Sequence, residues 1–199
     1  MNFDALIVGL GNPGPRYAFT RHNAGFLLLD VLAQDAGVRF DEKSTLSKKT
    51  GSHTATIELG GKKCLLMKPQ TFMNLSGQSV RALYDQAHHL RDKPLVVAHD
   101  EADLPAGKVR VKMGGSDAGN NGLKSLRDEL GTGEFFRVRL GVGKPGPDSK
   151  IELHDHVLQE FTKEEAAGLI QAFDLTVQAI QALLEGELLA AQSLVSKIQ

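Results

Sequence analysis

Alternating apolar and polar residues divide this chain into short strands and longer helices. Six apolar runs have the length of β-strands: residues 5–10, 54–59, 63–68, 94–99, 108–113 and 136–142. Four longer segments repeat apolar residues at helical spacing: residues 22–36, 76–90, 121–130 and 163–184, and a short helix is predicted after Gly186. Gly60 and Gly61 predict a hairpin between the second and third strands, which requires an antiparallel pair. The sequence therefore predicts a single-domain α/β fold, a three-layer α/β/α sandwich with a twisted mixed β-sheet.

A glycine-rich segment follows the first predicted strand and fits two interpretations. Residues 9–14 have the sequence GLGNPG, and Asp30 lies 21 positions beyond Gly9, which is nearly a dinucleotide-binding fingerprint. Pro13 and Pro15, however, lack the backbone N–H groups that such a motif offers to a pyrophosphate. The helical spacing of the next segment also places Asp30 inside a helix, away from any ribose. A tight turn is therefore favoured.

Composition limits the class of protein. With 199 residues, 41% of them apolar, the chain can bury one good-sized core. We expect no apolar stretch to be long enough to cross a bilayer, and Asp4 precedes only a short apolar run where a signal peptide would be basic. A cytoplasmic protein is predicted. The single cysteine, Cys64, lies in an apolar run and is expected to be a buried structural thiol.

The net charge of −1 conceals an uneven distribution. Residues 1–150 carry 21 Lys and Arg against 16 Asp and Glu, whereas residues 151–199 carry 2 against 8. Arg137 and Arg139 stand two apart in a predicted strand and so share a face. A further basic cluster consists of Lys108, Arg110, Lys112, Lys124 and Arg127. These positions permit a phosphate-binding patch, although a solvated surface is the commoner meaning of such a cluster.

Short polar residues follow four of the apolar runs or their loops. They are Asn12, Asn74, Asp100 and Asn121. In an α/β sheet the loops beyond the strand ends build the site, so three amides and a carboxylate are expected to converge there. Each of them taken alone fits a helix cap or a turn equally well.

His22 begins the helix after the glycine turn and should lie near Asn12. If Asp100 reaches it, the carboxylate would fix the tautomer of the imidazole and leave the second ring nitrogen to accept a proton from water. Covalent Ser or Cys catalysis is disfavoured because the chain has no G-x-S-x-G motif. P-loop, C-x-x-C and H-E-x-x-H motifs are also missing, and no metal site is expected.

Five blocks of sequence resemble the bacterial-type peptidyl-tRNA hydrolase family, together with Tyr17. They follow one another in the family's order and spacing: residues 9–14 (GLGNPG), 20–25 (TRHNAG), 68–77 (KPQTFMNLSG), 99–105 (HDEADLP, with Ala102 in place of a leucine) and 121–124 (NGLK). The resemblance covers almost the whole chain, and five blocks in register are far more specific than any one of them. It implies one catalytic domain over residues 1–199.

The resemblance implies hydrolysis of the ester that joins a peptide to the 3′ end of tRNA. His22 would be the general base, and Asp100 would stabilise its proton-accepting form. Asn12 would distinguish a blocked α-amino group from a free one, because a side-chain amide can pair with a peptide N–H or C=O. Neither a metal nor an organic cofactor would be required.

The resemblance also assigns residues that hold the substrate. Tyr17, Phe72, Asn74 and Asn121 would contact the substrate's end, and Met73 would supply an apolar wall.

Lys112 and Arg139 match family positions that clamp the tRNA 5′ phosphate, and Arg110 shares a strand face with Lys112. Contacts of this kind position a nucleic acid without reading its sequence. The expected partner is the acceptor stem and 3′ end of peptidyl-tRNA, bound by a monomer.

The chain departs from the family in one loop. Residues 115–122 have the sequence GSDAGNNG, so Asn120 stands where the family usually has a histidine, and Asp117 and Ala118 lie in the part of the loop that is glycine-rich in the family. Because Asn cannot titrate, any imidazole role at this position is lost. The departure motivates an alternative hypothesis, a non-catalytic RNA-binding protein that kept the fold. A nucleotide-dependent oxidoreductase is a third, resting on G-x-G-x-x-G alone.

Overall fold

A six-stranded mixed sheet organises the computed structural model, which describes residues 2–198. The strands are β1 (Ala5–Gly9), β2 (Ser52–Leu59), β3 (Lys62–Pro69), β4 (Leu95–Glu101), β5 (Val109–Met113) and β6 (Phe136–Gly141). Their order across the sheet is β2-β3-β1-β4-β6-β5. The four inner strands are parallel, and the two edge strands run antiparallel to their neighbours. The mixed sheet and the hairpin between β2 and β3 are as predicted.

Helices cover both faces of the sheet. They are α1 (Ala24–Asp35), α2 (Thr45–Thr50), α3 (Ser76–Gln86), α4 (Asn121–Leu130), α5 (Leu153–Val157), α6 (Lys163–Leu184) and α7 (Leu188–Ser196). Ile7 of β1 belongs to the apolar cluster formed with α1, α6 and α7. Its neighbours Leu6 and Val8 belong to the cluster formed with α2, α3 and α4. Since adjacent side chains of a strand point to opposite faces, this alternation confirms the three-layer α/β/α sandwich.

Two predicted helices differ from the structure at their ends. The helix predicted over residues 22–36 begins with a 3-10 turn, Arg21–Asn23, before α1. The helix predicted over residues 76–90 breaks at Ala87, whose extended φ of −142° separates α3 from the 3-10 segment His88–Asp92. The short helices α2 and α5 were not predicted, because six and five residues are too few to show an apolar period.

The long helix α6 needs one correction. By length and composition alone it is apolar enough to cross a membrane, so the expectation that no stretch would qualify was wrong. Its apolar residues have partners within the fold: Leu169, Phe173 and Ile180 are buried in the cluster that covers the sheet. The core helix of a folded protein passes the same length and composition test.

Gly9, in the glycine-rich segment, and Gly25, in α1, allow close packing between α1 and the sheet. A Cβ built on Gly25, in the first turn of α1, would lie 2.4 Å from the carbonyl oxygen of Ala98 in β4 and 2.6 Å from the backbone nitrogen of Leu10. A Cβ on Gly9 would lie 2.4 Å from the carbonyl oxygen of Gly25. Only glycine allows α1 to approach β1 and β4 this closely, and that approach carries the preceding 3-10 turn to the end of β4.

Replacing Gly25 with alanine should therefore destabilise the protein. The new methyl group meets backbone atoms that cannot rotate away, so the free energy of unfolding should fall by about 1–3 kcal/mol or more. Urea unfolding measures the change. Gly146→Ala is the matched control, because a Cβ there meets nothing within 4 Å, and it should stay within about 0.5 kcal/mol. Equal stability of the two variants would contradict the close-packing account.

Candidate active site

Two adjoining clefts open at the carboxyl ends of the parallel strands. The larger, of about 640 Å³, is lined by seven residues that the sequence singled out: Asn12, Tyr17, His22, Phe72, Met73, Asn74 and Asn121. The second, of about 450 Å³, is lined by Asp100, Asn120 and the loop before α4. His22, Asn121 and His154 line both clefts. The predicted convergence of three amides and a carboxylate at one edge of the sheet is thus present.

His22 and Asp100 form the only direct contact between a histidine and a carboxylate in these clefts, within the part of the chain that the structure describes. His22 Nδ1 lies 2.8 Å from Asp100 Oδ2. Since an ionised carboxylate only accepts, Nδ1 carries the hydrogen and donates it. Nε2 then holds the lone pair of the neutral imidazole, and no other described residue bonds to it.

The position of His22 is fixed from both sides. Asp100 is next to last in β4 and only 7% exposed. Arg21, beside His22, is buried and forms an ion pair with Glu165 in the first turn of α6, with Nη2 and Oε2 2.6 Å apart. Its Nη1 also donates to the carbonyl oxygen of Glu160. The 3-10 turn therefore cannot move without breaking contacts to two other elements.

The environment of His22 raises its pKa above 6.5. Burial acts in the opposite direction and lowers the pKa, but the negative charge of Asp100 and the hydrogen bond to it outweigh burial. The protonated pair consequently stabilises the fold fully at pH values below 6.5. That stabilisation is lost as pH rises through the raised pKa. Above it, the neutral imidazole that can accept a proton predominates.

Asn12 is held by three hydrogen bonds. Its backbone N–H donates to Asn23 Oδ1 at 2.8 Å, and Asn23 Nδ2 donates back to its carbonyl oxygen at 3.0 Å. The backbone N–H of Met73 donates to Asn12 Oδ1 at 2.8 Å. The side-chain oxygen thus already accepts one hydrogen bond, whereas no described residue bonds to the Nδ2 amide group, which can donate to a ligand.

The other cleft residues differ in exposure. Met73 is buried, and a Cβ on Gly122 would lie 2.5 Å from its sulfur, so it packs against the start of α4. Phe72 is 58% exposed, although it is a large apolar side chain. Tyr17 is half-buried, whereas Asn74 and Asn121 are exposed. The larger cleft thus combines an apolar floor with accessible aromatic and amide groups.

Four of the basic residues singled out in the sequence lie on β5 and β6 and line neither cleft, whereas Lys124 of α4 lines the larger cleft. Arg110 pairs in register with Arg139, and Lys112 with Arg137, which places all four on one face of the antiparallel pair. Arg139 Nε donates to Glu101 Oε2 at 2.9 Å, and Glu101 lines the second cleft. The pKa of Lys112 is lowered, by burial and then by the charges of Arg139 and Arg137.

Arg137 corrects one sequence-based interpretation. It is only 2% exposed, and both terminal nitrogens donate to backbone carbonyls, Nη2 to Gly115 at 2.6 Å and Nη1 to Ser116. It cannot reach a phosphate. The strand-face rule found the correct face but could not show that one of its cations holds a neighbouring loop.

Sequence reasoning missed the parts played by Asn23 and Asn120. Asn23 is buried and clamps the backbone of Asn12. Asn120 contacts Asp100 as well as the start of α4. A polar residue directly after His22 in an otherwise apolar segment was a usable signal for Asn23. Asn120 gave a signal only as a departure from the family pattern, which does not reveal its partners.

Residues 2–198 contain no group of three or more His, Cys, Asp or Glu side chains arranged to hold a metal ion.

Cys64 lies in β3 and is fully buried, which confirms the prediction of a structural thiol. Burial raises the pKa of its thiol to about 11, with a smaller contribution from Asp4. A thiolate nucleophile is therefore disfavoured at neutral pH.

Comparison with known proteins points to one family. The family model described as peptidyl-tRNA hydrolase matches residues 6–199. Peptidyl-tRNA hydrolase of Geotalea daltonii is 45% identical over 179 residues, covering 89% of this chain and 88% of the relative. That of Bacillus subtilis is 44% identical over 179 residues, covering 90% and 91%. The crystal structure of peptidyl-tRNA hydrolase from Acinetobacter baumannii matches with a TM-score of 0.86 at 33% identity, covering 99% of this chain and 97% of that one.

The Asn23 clamp makes a testable contribution to stability. Asn23→Ala removes the partners of two backbone groups of Asn12, so the free energy of unfolding should fall by about 1–3 kcal/mol. Urea unfolding measures this. Asn74→Ala, at an exposed cleft residue, should change it by less than about 0.5 kcal/mol. An unchanged midpoint for Asn23→Ala would show that the clamp adds nothing to stability.

Proposed function

Because this chain belongs to the peptidyl-tRNA hydrolase family, we propose that it hydrolyses the ester between a peptide, or an N-blocked amino acid, and the 3′ end of tRNA. The observation that carries the mechanism is the 2.8 Å contact between His22 Nδ1 and Asp100 Oδ2. This contact directs a lone pair on Nε2 toward the clefts where an ester would lie. The activity releases free tRNA from the peptidyl-tRNA that stalled or aborted translation leaves behind, so that the tRNA can be used again.

His22 acts as the general base. Its Nε2 takes a proton from a water molecule, whose oxygen attacks the ester carbonyl carbon. Asp100 stabilises the imidazolium that forms, as an adjacent carboxylate does for a charged ring. When the bond to the 3′ oxygen of the tRNA breaks, His22 returns the proton to that oxygen. The products are a free carboxyl group on the peptide and a free 3′ hydroxyl on the tRNA.

Asn12 selects for a blocked amino terminus. With its Oδ1 held by the N–H of Met73, its Nδ2 can donate to a peptide carbonyl but cannot accept from an ammonium group. A free aminoacyl ester would therefore gain less at this position than an N-blocked one. Asn12 and Asn121 also supply amide donors for the oxyanion of the tetrahedral intermediate. Tyr17, Phe72, Met73 and Asn74 hold the residue next to the ester and the end of the tRNA.

The basic face of β5 and β6 holds the tRNA. Arg110, Lys112 and Arg139 contact the acceptor stem and its 5′ phosphate. Glu101, which bonds Arg139 and lines the second cleft, connects this face to the catalytic pair. Contacts of this kind suit an enzyme that must accept every tRNA. We propose that the protein acts in the cytoplasm and that it is a monomer.

His22→Ala tests the catalytic step. Turnover of N-acetyl-aminoacyl-tRNA should fall by about 10²- to 10⁴-fold, the usual effect of removing a general base. Binding of the same substrate, measured by filter retention, should change little. His53→Ala is the control, since His53 lies in β2 away from the clefts. Near-normal turnover by His22→Ala would show that His22 is not the general base. A wild-type protein that binds the substrate without releasing tRNA would support the alternative hypothesis of a non-catalytic RNA-binding protein.

Lys112→Ala tests the tRNA contact. It should raise KM for tRNA substrates but not for a short N-blocked aminoacyl ester of the terminal adenosine. It should also reduce the slope of log K against log salt by about one. Lys48→Ala, at an exposed lysine of α2, is the matched control. Equal effects on the long and short substrates would argue against a phosphate contact at Lys112.

A further inference from the structure

We propose that Asn120 is a positioning residue that fixes the plane of the Asp100 carboxylate and, through it, the imidazole of His22. The inference deepens the proposed function, since it concerns the same reaction. It rests on one side chain that bonds to two structures at once. Asn120 Oδ1 caps helix α4, and Asn120 Nδ2 donates to Asp100 Oδ1 at 2.9 Å.

The helix cap determines which way the amide of Asn120 faces. Its Oδ1 accepts from the backbone N–H groups of Gly122 at 3.0 Å and Leu123 at 3.1 Å. Two donors must face an oxygen, so the NH₂ group has to lie on the opposite side, toward Asp100. Asn120 is therefore an oriented donor whose direction is set by the start of a ten-residue helix.

Both oxygens of Asp100 are thereby engaged. Oδ2 accepts from His22 and Oδ1 accepts from Asn120. A buried carboxylate held at only one oxygen can rotate about its Cβ–Cγ bond, because that torsion has no sharp staggered minima. The second hydrogen bond removes this rotation. The direction of His22 Nε2 is then fixed relative to the cleft in which the ester lies.

The loop before α4 delivers Asn120 to this position. The backbone N–H of Asn120 donates to the carbonyl oxygen of Asp117 at 2.8 Å, and Asp117 Oδ1 accepts from the N–H of Gly119. Asp117 Oδ2 accepts from Arg127 of α4 at 2.6 Å. At the other end of the loop, the buried side chain of Arg137 donates to the backbone carbonyl oxygens of Gly115 and Ser116. Asp117 and Ala118 thus lie in a loop tied to both α4 and β6.

Few other charges act directly on the pair. The same cleft is lined by His99 and Glu101 of β4, Asp103, Asp117, Lys144, and His154 of α5. The carboxylates among these have cationic partners: Glu101 pairs with Arg139, Asp117 with Arg127, and Asp103 with Lys144. His99 Nδ1 bonds to the carbonyl oxygen of Asp100. Asn120 does not titrate, so its bond to Asp100 is the same at every working pH.

Two substitutions separate this role from helix capping. Asn120→Asp and Asn120→Ser both keep an N-cap oxygen for α4, because Asp and Ser cap as well as Asn. Neither can donate an amide hydrogen to Asp100 Oδ1. The aspartate adds a negative charge beside the pair, whereas the serine adds none. Ser44→Ala, which removes the cap of α2 far from the clefts, reports what loss of a cap alone does.

Kinetics and the titration of His22 give the decisive measurements. We expect kcat to fall by about tenfold or more in both Asn120 variants with KM changed less than about twofold, the pattern for a lost positioning contact. The His22 pKa, followed by NMR and assigned with His22→Gln, should rise in both variants and more in Asn120→Asp. The acidic limb of the pH profile should move upward with it, because the imidazolium is then favoured.

An unchanged His22 pKa in both variants would overturn the proposal, and so would a kcat no lower than that of Ser44→Ala. The NMR titration does not depend on the substrate. If the wild-type protein failed to hydrolyse N-blocked aminoacyl-tRNA, the proposed function would fail, yet the titration would still decide whether Asn120 positions the pair.

Discussion

The hydrogen bond between Asp100 and His22 is the contact on which the rest of the site depends. It joins the end of β4 to the 3-10 turn before α1, two segments 78 residues apart in the chain. A buried carboxylate without partners would be costly, so the surrounding structure supplies a donor to each of its oxygens. The negative charge of Asp100 also raises the pKa of His22 above the level that burial alone would set.

The packing around this pair keeps it rigid. Gly9 and Gly25 let α1 lie against β1 and β4 at distances that a methyl group would prevent. Arg21 ties the 3-10 turn to α6, and Asn23 ties it to the loop that carries Asn12. Polar groups held this way need little reorganisation when a ligand binds. The acidic helix α6 therefore contributes to the site by anchoring the turn through Glu165.

The fold was largely predictable because its signals are local. Apolar runs and helical spacing predicted every strand and the four longer helices, and the Gly60-Gly61 pair predicted the hairpin. Their ends were less accurate: α3 breaks at Ala87, and the 3-10 turn at His22 is held by contacts with Asp100 and Glu165, which are distant in the sequence. The five sequence blocks likewise predicted the family, and seven of the predicted site residues line one cleft. Their roles in catalysis stay predictions.

By itself, the sequence determined the layers of the fold, the family and the set of polar residues at the strand ends, because each depends on residue type and spacing along the chain. Only the tertiary structure decided how those residues share their hydrogen bonds. Arg137 holds a loop, although its spacing in the sequence places it on the same strand face as Arg139 and does not distinguish the two. Asn12 keeps one free amide group, and Asn120 links a helix cap to Asp100. Hydrogen-bond partners are often far apart in the sequence, and the spacing of residues along the chain does not reveal which of them come within hydrogen-bond distance after folding.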